Sequence, residues 1–230
     1  MTPRYLLLFA FFCLNLPLFS QIKSKDTTFI ERSAKLKTAQ SIYFDNNKNS
    51  KGYNDIVDFY FGKFDNDTYK QSLIYLKDRK LKLIKSKPII PVVKWVPIKQ
   101  YKGKLYVYRP CDFYSHYKIS VNDSTFIDWT GEGPIANKIL AQSKINDKTY
   151  QFKLKGFYQP NRTLLIHIID TENMIAVFEE TDEKKQKNYY FMIAANKIKN
   201  MPLIVNNCET YKQFELIFEI PNFAKILQNQ

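Results

Sequence analysis

Tyr150-Gln151-Phe152-Lys153-Leu154-Lys155 alternates large apolar and polar side chains without a break. A strand sends successive side chains to opposite faces, so this stretch reads as a ribbon with one buried and one wetted side. The period of two recurs on both sides of it. Between Cys111 and Val121, Phe113, Tyr117, Ile119 and Val121 share one face, with Tyr114, His116, Lys118 and Ser120 on the other. Phe214-Glu215-Leu216 and Phe218-Glu219-Ile220 repeat the pattern near the C-terminus. Asn122-Asp123, Asn146-Asp147 and Asp170-Thr171-Glu172-Asn173 separate neighbouring ribbons. Asn and Asp tolerate left-handed backbone angles and bond their own main chain, which suits hairpin turns.

Further strands are predicted at Ser41 to Phe44, Ile56 to Phe61, Leu81 to Ile84, Val92 to Val96, Leu105 to Tyr108 and Thr125 to Trp129. Ile139 to Ile145, Leu164 to Ile169, Met174 to Phe178 and Tyr189 to Ala194 follow. About a dozen such segments are enough for a closed barrel or a sandwich. The expected class is therefore all-β with minor α, an antiparallel meander with short helices near each end. Thr28-Phe29-Ile30-Glu31 has capping-box spacing and predicts a short helix. Pro221 at a first turn predicts another over Pro221 to Leu227. Asp67 to Lys80 fits either period: Tyr69, Leu73 and Leu76 are helical in spacing, while Tyr69, Leu73 and Tyr75 alternate. Pro88, Pro91 and Pro97 bracket Ile89 to Val96 and predict an edge strand or connector there, because proline cannot donate to a central ladder. Residues 21–230 read as one domain with an irregular part over 21–98. Any boundary would fall near Lys99 to Lys104.

The first twenty residues differ in kind. Arg4 precedes the apolar run Tyr5 to Leu14; Asn15 and Pro17 break it, and small Ser20 closes it. That is a secretory leader spanning residues 1–20, too short for a comfortable span of about 20 residues. The expected address is exported: periplasmic, outer-membrane-associated or extracellular. No other apolar stretch is long enough to span a bilayer. Leader removal takes Cys13 and leaves Cys111 and Cys208. In an oxidising compartment the two can pair; the alternative is two thiols buried apart.

The chain has 35 Lys plus Arg against 22 Asp plus Glu, and a net charge of +13. That excess either faces an anionic envelope component or forms a lysine-rich solvent face guarding sheet edges. Scarce arginine and export argue against nucleic acid. Two His and few Cys leave little for a metal site, and six Gly argue against phosphate-cradling loops, so no cofactor is expected. G-x-S-x-G and H-E-x-x-H are absent from the sequence.

The aromatic residues Tyr106, Tyr108, Tyr117 and Trp129 fall in one meander and are the ligand-binding candidates, against ordinary packing. In a barrel mouth they would hold a small apolar ligand or stack on a sugar. Should the protein be an enzyme of envelope glycans or lipids, Asp128, Glu132 and His167 are the acids and bases available. The leading expectation is a secreted, non-catalytic binding barrel. The alternatives are an envelope hydrolase and an interaction protein for anionic surfaces.

Leu18-Phe19-Ser20-Gln21, together with 30 Lys to 5 Arg, resembles the export signals and composition of secreted Bacteroidota proteins. A leader followed by a meander of amphipathic strands is similar to the lipocalin-like barrels of exported bacterial proteins. The resemblance implies a periplasmic or outer address and a barrel fold.

Overall fold

The computed structural model describes residues 27–32, 41–157, 160–208 and 214–228. The leader expected over residues 1–20 lies outside these residues. The strands are β1 (Thr27–Arg32), β2 (Ser41–Asp45), β3 (Lys94–Tyr101), β4 (Lys104–Arg109), β5 (Tyr117–Val121) and β6 (Thr125–Thr130). After them come β7 (Gly133–Lys144), β8 (Thr149–Lys155), β9 (Arg162–Asp170), β10 (Ile175–Asp182), β11 (Lys187–Ala194) and β12 (Leu203–Asn207). Among the described residues three α-helices accompany them: α1 (Lys51–Ile56), α2 (Lys63–Asp78) and α3 (Phe223–Gln228).

Strands β5 to β11 form an unbroken up-and-down meander, each paired antiparallel with the next. β3 closes it. One of its edges pairs with β11 over Trp95 to Ile98, and Lys94 and Trp95 pair with β5 across from Ser120 and Ile119. The result is a closed, eight-stranded antiparallel barrel of lipocalin-like form. From Ile98 onward β3 exchanges β5 for β4. β4 is joined in turn by β12 in parallel, then β2 and β1, making a side sheet that leaves the barrel wall.

The lumen is filled. Trp95, Ile119, Phe126, Phe152, Leu164, Phe178 and Met192 form one buried cluster, to which Ile139 of β7 adds its side chain. All eight barrel strands contribute to it. These are the inward residues of the alternation that the sequence displays. A second cluster lies on the outer wall, where Val96, Ile98, Val107, Val177, Phe191 and Ile193 meet Leu203 and Val205 of β12, Tyr53 of α1 and Phe223 of α3.

One end of the barrel is stoppered. The connector ahead of β3 crosses it, with Ile90 and Val92 in the lumen cluster. The Gln142 side-chain amide donates to Ser86 Oγ at 3.0 Å and to the Lys87 carbonyl at 2.9 Å. Its oxygen accepts the Ile89 N–H at 3.2 Å. A strand was expected over Leu81 to Ile84, but this part of the chain is that connector and carries no ladder.

Other expectations are corrected as well. Thr28 to Glu31 belongs to strand β1, where Phe29 packs edge-on to Tyr43 of β2, so pairing overrides the capping spacing. Ile56 to Phe61 is the end of α1 and a linker, not a strand. Asp67 to Lys80 resolves as helix: α2 turns Ser72 and Leu76 onto β7, and the Asp65 carboxylate accepts the Gly62 N–H at its start. Of the stretch Ile89 to Val96, residues 89–93 are connector as expected, whereas 94–96 open β3, which is no edge but the most shared strand. Pro97 falls where β3 changes partner, a place that suits a residue with no N–H. Phe214 to Ile220 is an extended strap with a single bridge at Glu219. The terminal helix forms as α3, and Lys99 to Lys104 lies within the β3–β4 hairpin.

Cys111 and Cys208 lie at disulfide distance, with Cα atoms 5.7 Å apart. The parallel pairing of β4 and β12 explains the meeting: both strands end side by side, and each cysteine follows its strand end closely. Mass mapping of the unreduced protein is expected to recover the two peptides joined. The bond closes a separation of 97 residues. Its reduction is expected to cost up to about 4–5 kcal/mol in a denaturant melt by loop-closure entropy. Two free thiols, or a melt unmoved by reductant, would contradict the pairing.

A polar mouth at the open end of the barrel

At the end opposite the stopper, six of the eight inward rows of side chains terminate in a polar residue. Asp128 follows Phe126 on β6, Glu180 follows Phe178 on β10, and Arg162 precedes Leu164 on β9. Tyr117, Asn137 and Tyr190 end the rows of β5, β7 and β11 in the same way. Strand pairing brings all six to one level. With Thr130 and Asn188 they line a pocket of about 330 Å³.

Arg162 is the centre of this group and only 6% exposed. Its guanidinium is ion-paired to Asp128 through Nη2 and to Glu180 through Nη1, the latter at 2.8 Å. Beneath it the Phe126 ring lies 5.5 Å from the guanidinium carbon, so a cation–π contact joins the mouth to the apolar core. Asp128 also accepts the Tyr117 hydroxyl at 3.0 Å and the Asn137 amide at 2.9 Å. The Tyr190 hydroxyl is 3.4 Å from Glu180 Oε2. Among the described residues Arg162 Nε is buried without a hydrogen-bond partner.

Burial opposes the charge of Arg162, but Asp128, then Tyr117 and Glu180, outweigh it and raise the guanidinium above its ordinary value. Burial, then the Asp128 charge, holds Tyr117 well above its usual range, and burial followed by Glu180 does the same to Tyr190. Both phenols are therefore neutral hydrogen-bonding groups at physiological pH. With one guanidinium between two carboxylates, the formal charge of the cluster is negative.

Beside the mouth, where β4 and β5 part along the edge of β3, a cleft of about 370 Å³ opens. It shares Tyr117 and Thr130 with the mouth and adds Tyr60, Lys99, Tyr108, Phe113, His116, Lys118 and Trp129. Gly131 permits the short turn at Phe113 to close over it, since a Cβ there would stand 2.2 Å from the Phe113 carbonyl oxygen. Lys118 bonds the Asp58 carbonyl and lies 4.8 Å from the Phe59 ring and 5.2 Å from Trp129. Burial lowers its pKa, against the opposing charges of Asp58 and Asp65.

Three of the four aromatic candidates thus meet at this end. Tyr117 lines both cavities. Trp129 borders the cleft but is buried, with Phe61 at 4.7 Å and Phe59 at 5.5 Å edge-on and its indole N–H on Ser120 Oγ. Tyr108 borders the cleft while its hydroxyl donates to Glu215. Tyr106 lies apart, stacked obliquely on Phe44 of the side sheet.

The three acid–base candidates are not brought together. Asp128 faces the pocket, whereas Glu132 sits in the exposed turn between β6 and β7. His167 is on the outer wall, 3.4 Å from Thr149 Oγ1 and 3.5 Å from Glu179, with its pKa lowered chiefly by burial. Sequence reasoning missed Arg162, Glu180, Asn137 and Tyr190. The signal was a polar residue two places from the last apolar inward residue, repeated strand after strand. Among the described residues no group of three or more His, Cys, Asp or Glu is placed to hold a metal.

Fold and mouth define a closed lipocalin-like barrel with a filled lumen and a polar, aromatic-rimmed opening. Compared with protein families, with curated proteins and with solved structures, the chain matches none.

Breaking a buried ion cluster by removing one member costs about 3–5 kcal/mol, whereas replacing the whole cluster by neutral groups is often near neutral. Arg162→Met is therefore expected to lower stability by about that amount in a urea melt, and the triple change Asp128→Asn, Arg162→Met, Glu180→Gln to recover most of it. A single variant as stable as the parent would contradict the burial of the cluster.

Proposed function

We propose that this protein is an exported, non-catalytic binding barrel that holds a hydroxylated ligand, the saccharide part of a cell-envelope component, at its open end. The observation that carries the reading is the ring of inward polar side chains around Arg162, set above a filled lumen. A fatty ligand would need the space that Trp95, Phe126, Phe152 and Phe178 occupy. A saccharide needs what the open end offers: donors and acceptors in the pocket, and rings at its edge for the apolar faces of the sugar. Tyr60 and Phe113 supply exposed rings in the adjoining cleft. Export rests on the leader, and the cysteine pair and the absence of a long apolar helix among the described residues are compatible with it.

An envelope hydrolase is the second reading, favoured by Asp128 and Glu180 facing one pocket. Calorimetry against envelope glycan fragments separates the two. Binding without turnover is expected, weakened about fivefold by Tyr60→Ala through loss of a ring contact and also weakened by Asn188→Ala. Both side chains are exposed, so neither change threatens the core. Turnover that Asp128→Asn abolishes would establish the hydrolase. Retention of fatty acids in place of glycans, unaffected by either change, would overturn the saccharide reading.

A further inference from the structure

The strap formed by residues 214–220 presents its apolar side chains outward. Phe214 is 96% exposed, Ile217 90% and Ile220 93%, an arrangement folding normally avoids. The anchors of the strap explain it. Glu215 accepts the Tyr108 hydroxyl and the Asp112 N–H, and its carboxylate also takes the Asn206 amide at 3.1 Å. Phe218 packs edge-on to Tyr108 at 4.7 Å. Glu219 accepts the Gln100 side chain at 2.8 Å and the Gly103 N–H at 3.1 Å, while its own N–H bonds the Gln100 carbonyl. With 215, 218 and 219 committed to the side sheet, 214, 217 and 220 have only the outward direction.

The same anchoring sorts the charges. Glu215 turns inward, while Glu219 stays exposed with its carboxylate held by Gln100 and Gly103. Lys102 and Lys104, exposed on either side of Gly103, flank the point where Glu219 docks. The outward surface therefore combines three apolar knobs with cationic neighbours, on a chain of net charge +13. Apolar side chains that enter the headgroup boundary, with lysines for the lipid phosphates, are the two components of reversible adsorption to an anionic membrane.

We infer that the strap and the β3–β4 hairpin together dock this protein on an anionic lipid surface. Lipid suits the outward face because the attraction needs no shape complementarity, and a strap one residue wide offers little. This site lies on the side sheet and is independent of the barrel mouth.

Vesicle co-sedimentation tests it, with the chain from Gln21 onward, which contains every described element. Vesicles of phosphatidylglycerol mixed with phosphatidylcholine are compared with phosphatidylcholine alone. Partition to the anionic vesicles is expected to be about tenfold stronger and to weaken with salt. The variant Phe214→Ser, Ile217→Ser, Ile220→Ser alters only outward groups and is expected to lose about tenfold in partition. Its unchanged thermal melt would show that the fold is intact. Lys102→Glu with Lys104→Glu leaves the apolar knobs in place and is expected to abolish the preference for anionic lipid. No binding by the parent, or equal binding by the serine variant, would overturn the inference. So would a dimer in sedimentation that the serine variant dissolves, because a second copy would then be the occupant.

Discussion

The structure depends on one strand having three partners. β3 pairs with β11 along one edge and divides the other between β5 and β4. The first division closes the barrel, and without it the meander β5 to β11 would be an open sheet with two free edges. The second gives the side sheet its root. At Trp95 the strand belongs wholly to the barrel, and its indole is buried in the lumen against Phe178, ring centroids 5.4 Å apart. At Ile98 the strand faces β4, and its side chain packs in the outer cluster. Between them stands Pro97, which has no N–H to leave unpaired where the partner changes.

Local structure, packing and the candidate site follow from that division. Because β4 and β5 must separate, a cleft opens between them, and the linker carrying Phe59 and Phe61 covers Trp129 at its floor. Because the barrel is narrow and filled by large side chains, any cavity is pushed to an end. The connector at Ile90 occupies one end, so the polar terminations of the strands collect at the other. The Arg162 cluster is a consequence of register: Arg162, Asp128 and Glu180 continue the inward rows of β9, β6 and β10. The charge of Arg162 is tolerated there because two carboxylates and the Phe126 face receive it.

Much of the barrel was legible because half-buried strands write their two faces into the sequence. Tyr150 to Lys155 folds as its alternation says, and Thr125 to Trp129 and Leu164 to Ile169 are strands as expected. What failed was non-local or inverted. β12 shows no alternation, since Leu203 and Val205 face the outer cluster while Ile204 and Asn206 are buried on the other side. Phe214 to Ile220 shows apolar and polar faces in sequence, yet Glu215 is drawn inward by Tyr108 and Asp112 and Phe214 is left outside. Asp128 and Tyr117 were identified for their chemistry alone. Arg162 and Glu180 escaped because their meeting depends on the pairing of strands distant in the chain.

Closure by β3 is the central claim, and cross-strand backbone NOEs measure it most directly. Trp95 is expected to show contacts to Ile119 on one side and to Ala194 on the other, with Ile98 meeting Val107 further along. If Trp95 meets Ala194 alone, and the outer amides of β5 exchange as fast as those of a free edge, the barrel is open and the account is wrong.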